Sequence, residues 1–263
     1  MVSKKTITLL CAVLLVGLSW AGPPSEPIKP DFDKIELQIS DPVSPLFYPI
    51  LMSRYISGDS TLTATDYHYL YYGYVFQEGY KPLMDNPYSD SLSFEFGRRT
   101  SSQFSTYERM VRYARGVVKD RPFSMRDLNA LAYGLKLMGK QELARMEMRK
   151  IEMIDSTIRA TGTALTLQSP WYIIYMNDAE DVLNLMNANY ARAIMISSQV
   201  AFIPVNNLID IGYRNPKQRG FYFDYHQIYL RRPDYLDGPN RPKRKMELNP
   251  YYNPKSKLNT LPK

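Results

Sequence analysis

The stretch Thr61–Tyr80, TLTATDYHYLYYGYVFQEGY, decides the fold. It holds Tyr67, Tyr69, Tyr71, Tyr72, Tyr74, Phe76 and Tyr80 in one short run. Thr63 and Asp66 have the spacing of a capping box, with a hydroxyl at the N-cap and a carboxylate three residues later, so a helix is expected to begin there. Tyr67, Tyr71 and Tyr74 then share one face, and Tyr69, Tyr72 and Phe76 another. A helix that is aromatic on two faces is expected to be covered on more than one side. Gly73 admits a close neighbour at a modest cost in helix propensity. Gly79 and Pro82 are expected to close the element. The default reading of these rings is core filler whose hydroxyls reach polar partners. The functional reading makes Tyr67, Tyr71, Tyr72 and Tyr74 a groove for peptide or sugar, or an interface hot spot.

On the N-terminal side, Asp31 is a possible N-cap for a helix carrying Phe32, Ile35 and Ile39 at helical spacing. Asp41-Pro42 breaks it. A second helix is expected from Val43 or Ser44 to Tyr55, with Pro45 in its first turn and Leu46, Ile50 and Leu51 as a buried stripe. Gly58 should end it as a left-handed cap. On the C-terminal side, Asp85 to Ser102 reads as a loop or short irregular segment. Helical periodicity returns at Phe104, Tyr107, Val111, Tyr113, Ala114, Val117 and Val118. Ser124 and Asp127 suggest another capping box before Leu128, Leu131 and Leu135. Lys140 to about Ala160 reads as one long helix with Leu143, Met146, Ile151, Ile154 and Ile158 inward. Long helices joined by such short turns pack antiparallel.

The pattern changes after Gly162. Ala164–Leu167 and Trp171–Tyr175, separated by Gln168-Ser169-Pro170, predict a two-stranded hairpin. Asn177 and Glu180 predict a short capped helix through Met186. Ile194–Ile196, Val200–Val205 and Phe221–Tyr229 predict further strands. Helices first and strands last argue for an α+β fold, helical over 31–160 and β-rich over 163–230, with a small antiparallel sheet.

The two ends of the chain differ from this body. Lys4 and Lys5 precede the apolar run Ile7–Leu18, and Ser19-Trp20-Ala21 places small residues where a signal peptidase reads them. Residues 1–21 are thus expected to be a signal peptide, and 22–30 a proline-containing leader. The alternative is a retained anchor, which the shortness of the run disfavours. Cys11, the single cysteine, lies inside the signal and has Leu10 before it, so lipoprotein processing is not expected. The mature chain then has no disulfide and must be held by an ordinary core. The net charge is +7, but from Arg231 onward nine Lys or Arg oppose three Asp or Glu, and the body is nearly neutral. The proline-rich tail 231–263 is expected to be flexible. After export, a basic tail suits an anionic membrane or polysaccharide surface better than nucleic acid.

Arg54-Tyr55, Gly58-Asp59-Ser60, Leu62-Thr63, Asp66-Tyr67, Leu70–Tyr74 and Tyr80-x-Pro82 together resemble the N-terminal signature of an exported bacterial family catalogued as domain of unknown function 4919. The resemblance covers most of the chain between signal and tail. The run Tyr107–Ile158 is also similar to a tetratricopeptide-type hairpin, although the strict repeat signature is absent. Neither resemblance implies an activity or transfers a functional residue.

Catalytic signatures are sparse. There is no nucleophile elbow, P-loop, dinucleotide fingerprint or HExxH. No cofactor and no metal site is expected. His68 and His226 are the only imidazoles. On a strand, Asp224 and His226 would share a face and form a base with its orienter. The plainer reading is a strand-end hydrogen bond. Asp178, Glu180 and Asp181 suit a helix start better than calcium. Glu142, Glu147 and Glu152 with Arg145, Arg149 and Lys150 read as a solvated, salt-bridged face. The function expected is a non-enzymatic interaction or scaffold module of the bacterial envelope, periplasmic or secreted, with an envelope protein or polysaccharide as partner. The alternative is an envelope hydrolase using Asp224 and His226.

Overall fold

A computed structural model describes residues 26–83, 86–97, 104–215 and 217–231 of the chain. The expected signal peptide and nearly all of the basic tail lie outside these residues.

Seven helices come first. They are α1 (Phe32–Ser40), α2 (Tyr48–Ser57), α3 (Ala64–Gly73), α4 (Ser89–Gly97), α5 (Phe104–Asp120), α6 (Met125–Leu137) and α7 (Gln141–Arg159). Strand β1 (Trp171–Tyr172), helix α8 (Asp178–Leu185), strands β2 (Ile194–Met195), β3 (Val200–Pro204) and β4 (Gly220–Asp224), and helix α9 (His226–Leu230) follow. The fold is α+β, as the order of elements predicts.

Local chemistry sets several helix ends. Asp31 caps α1 by accepting from the Lys34 backbone N–H at 3.1 Å. Thr63 and Asp66 form the full reciprocal capping box on α3, which satisfies two amides that otherwise lack partners. Gly58 ends α2 with φ +74°. Helix α3 stops at Gly73, earlier than Gly79 and Pro82 suggest, and tightens into a 3₁₀ turn over Tyr74–Phe76. A Cβ on Gly73 would lie 3.0 Å from Ile39 Cδ1 and 3.2 Å from Tyr48 Cε2, so the bare backbone is what lets α1 and α2 pack so close. Ser124 and Asn177 make no side-chain cap, and the Ser124 hydroxyl is buried without a partner. Pro49, not Pro45, occupies the first turn of α2. Residues 43–47 are turns, and Val43 and Ile50 face outward. Phe104 and Leu143, read as inward positions, are also exposed.

Turns at 121–124 and 138–140 join α5, α6 and α7, which pack successively on one another. The stretch read as a loop contains α4, which packs on α5 and ties Glu95 to Arg109 at 2.7 Å. Two cores result. The larger runs from α1 through α3 and α7 to the sheet, and the smaller lies among α4, α5 and α6.

The sheet order is β1-β4-β3-β2. It is mixed, not purely antiparallel: β3 is antiparallel to β4 and to β2, whereas Trp171 and Tyr172 of β1 pair parallel with Phe223 and Asp224. A parallel neighbour requires a long crossover, and α8 with β2 and β3 supplies it. The expected hairpin at 164–175 is absent. Its first arm is a closed loop in which the Ala164 N–H donates to Ser169 O at 2.7 Å and the Trp171 indole to Gly162 O at 2.9 Å. A Cβ on Gly162 would stand 2.5 Å from Pro170 O, so this loop closes only over glycine. The strand expected through Tyr229 ends at Asp224, and Ile228 and Tyr229 belong to α9.

Candidate functional site

The tyrosine stretch lies in the interior. Tyr71 and Tyr72 are fully buried, Tyr67 is 3% exposed and Tyr74 is 6% exposed. The hydroxyls of Tyr71, Tyr72 and Tyr74 are spent on the fold. Tyr72 donates to Tyr172 O at 3.0 Å, and Tyr74 stands 3.1 Å from Gly79 O and 3.0 Å from Asp120 O. Tyr80 reaches Ile174 O at 2.6 Å, and from α2 Tyr55 reaches Pro122 O at 2.6 Å. Burial drives the phenol pKa values of Tyr55, Tyr71 and Tyr72 well above 10, because a buried phenolate has lost its hydration.

Tyr71 ends instead on a carboxylate, Asp178 Oδ2, at 2.5 Å. The same oxygen accepts from the backbone N–H groups of Tyr175 at 2.8 Å and Ile174 at 3.3 Å. Asp178 therefore fastens α3 to the start of α8. Burial pushes its pKa up to about 7, against the hydrogen bond from Tyr71, while Asp181 nearby adds to the rise. Its other oxygen and the Tyr175 hydroxyl are buried without partners. The rest of that acidic trio is also bound within the chain: Asp181 and Glu180 pair with Arg126 at 2.8 and 3.2 Å. Among the described residues no group of His, Cys, Asp and Glu is placed to hold a metal ion.

Asp224 and His226 do not share a strand face. The strand ends at Asp224, and its Oδ1 accepts from the His226 backbone N–H at 2.8 Å. This is the strand-end hydrogen bond of the plainer reading, with the main chain in place of the imidazole. The face of α7 is less solvated than its charge pattern suggests. Glu142 and Arg145 pair in solvent, but Lys150 is 6% exposed, bonds Glu147 at 3.0 Å and lies 4.9 Å from the Tyr55 ring centroid.

The histidine inside the tyrosine run marks a surface feature. His68 packs on Tyr72 and Tyr69 with centroids 5.0 and 5.7 Å apart. Burial pulls its pKa down to about 4, which leaves the imidazole neutral with one donor and one acceptor. It lines a cleft of about 210 Å³ between the leader, α1, α3 and α7. The leader is seated there by its Ile28 N–H, which donates to Ala160 O at 2.9 Å beyond the end of α7. Ile28, Ile35, Ala64, Tyr69 and Ala160 give the cleft apolar walls, while Lys29, Lys34, Asp31, Thr65 and Ser156 give it polar atoms. No sequence motif announces this site, since its lining comes from three separated segments. The only hint is a histidine standing among tyrosines.

Helical hairpins closed by a mixed four-stranded sheet, with the aromatic helix as shared core, define an α+β protein, and one of its surface clefts lies at the α1–α3–α7 junction. The chain belongs to the family described as a domain of unknown function (DUF4919), whose family model matches residues 33–232. Comparison with curated proteins and with solved structures returned no match.

Proposed function

We propose that this chain is an exported, non-enzymatic interaction module of the bacterial envelope, and that it engages its partner through the α1–α3–α7 cleft. The cleft is the observation that carries this reading. It combines apolar lining residues with a few polar ones, the usual composition of a recognition site. Tyr71, Tyr72 and Tyr74 are discounted as the contact surface because their rings are buried and their hydroxyls are bonded within the fold. The N-terminal Lys-apolar-small pattern supports export, and the basic tail supports contact with an anionic surface.

The test places a photo-crosslinking amino acid at Thr65, which is exposed beside the cleft, and a control at exposed Asn206, which lies outside it. The expected result is a chain shortened by its first 21 residues in the envelope or the medium, with adducts from position 65 only. A full-length cytoplasmic chain, or equal adducts from both positions, would overturn the proposal.

A further inference from the structure

We infer that the cleft takes the C-terminal residue of a partner polypeptide, its apolar side chain against Ile35 and Tyr69 and its free carboxylate toward Lys34 and Lys29. The inference rests on the interaction reading above and narrows it to one kind of partner.

Size is the first argument. A space of about 210 Å³ suits one large side chain; an apolar cavity of roughly 150 Å³ holds benzene. A long acyl chain or a folded epitope would not fit within it.

Charge is the second. Two lysines, Lys29 and Lys34, line the space against one acidic residue, Asp31. One oxygen of Asp31 is already committed to the Lys34 backbone N–H as the cap of α1. Lys29 Nζ donates to Gln168 O at 3.0 Å, which orients that ammonium and leaves it two further N–H groups. Thr65 and Ser156 bring hydroxyls to the same lining. An internal side chain of a partner would cover the apolar lining and leave these lysines unmatched. A C-terminal residue brings an apolar group and an anion on the same carbon, and capture of a terminal carboxylate is an established mode of peptide recognition.

His68 is the third. Its imidazole is neutral, so it offers a hydrogen bond without adding to the charge. A carboxylate docked nearby favours the protonated ring and raises its pKa from about 4. The bound anion thus leaves a signature on a single side chain, and His226 serves as the internal control.

The experiment follows the ring resonances of both histidines in the full chain by NMR. The titrants are an acetylated tripeptide ending in leucine as the free acid, the same peptide as its C-terminal amide, and 4-methylpentanoate as a free small acid. The expected result is a saturable shift of His68 with the acid peptide and a raised His68 pKa, with His226 unmoved. The amide and the small acid should bind about tenfold more weakly, as expected for loss of a charge-assisted contact or of the peptide unit. Lys34→Ala, at an exposed position, should erase the preference for acid over amide while circular dichroism stays unchanged. Equal binding of acid and amide, a small acid as good as the peptide, or no shift with any titrant would each overturn the inference. If adducts still form from position 65 in that event, the cleft remains a contact site for a different ligand. If they too are absent, the interaction reading falls with it.

Discussion

Helices α3 and α7 stand side by side, and both line the cleft, yet they are built of opposite materials. Helix α3 carries one capping carboxylate and is rich in aromatic residues, and it buries Tyr67, Leu70, Tyr71 and Tyr72. Helix α7 carries a charge at nearly every second position and buries one stripe, Ala144, Ile151, Ile154 and Ile158. The difference shows how a chain expected to lack cysteine after processing holds its middle together. The buried helix uses side chains with a large apolar body and one polar atom, so Tyr72 reaches a distant carbonyl and Tyr71 the carboxyl group of Asp178 from within the core. The outer helix keeps most of its charges where water can still reach them, with Lys150 and Asp155 as buried exceptions.

The comparison breaks most visibly if a central ring is removed. Tyr71→Ala should cost about 3–5 kcal/mol, the range for emptying a large buried side chain, and denaturant unfolding measures it. A loss under 1 kcal/mol would mean that the hub is not the core.

Titration of two buried groups comes next. Asp178 has a folded pKa raised to about 7 from 3.8, so the folded state binds the extra proton and stability falls as pH rises between these values. His68 has a folded pKa lowered to about 4 from 6.5, so the unfolded state binds the extra proton and stability falls as pH drops through that window. The two slopes oppose, each at most about 1.4 kcal/mol per pH unit. Asp178→Asn should leave a protein that gains stability from pH 4 to 6.5, and His68→Phe one that loses it. Chemical denaturation across that range reads both, and equal slopes in the two variants would contradict the assignment.

Charges on α7 give the smallest effects and should differ among themselves. Lys150→Ala should cost about 1–2 kcal/mol, since it removes a buried cation from Glu147 and from the Tyr55 ring. Arg145→Ala, in an exposed pair, should stay within about 0.5 kcal/mol of wild type. Similar losses in both would erase the distinction between the two ends of that helix face.

The helices were legible where a 3.6-residue period coincided with a terminal signal, as at Thr63–Asp66 and Gly58. Helix α4 was missed because Ser89–Gly97 shows neither a long apolar stripe nor a clear cap. The apolar run Phe221–Tyr229 reads as one strand, since periodicity in a short fully buried segment does not separate strand from helix. The carboxyl of Asp224 turns the chain there by taking the His226 amide. The mixed sheet was hidden because β1 finds its partner across about 50 residues. The cleft was illegible for a similar reason: Lys29, Lys34, His68 and Ser156 meet only once three helices have packed.

The tyrosine hydroxyls that grip distant carbonyls have one more consequence, in strong base. A phenol held inside as Tyr55 or Tyr72 is held does not ionise near 10 in place, because the anion would lose both its hydration and its hydrogen bond. Such residues release their protons only as the structure opens, and each release then drives further opening. Alkaline titration should therefore reveal two populations of tyrosine by ultraviolet absorbance. Exposed rings ionise gradually, whereas those of the hub ionise late and together, as a direct optical record of the core coming apart.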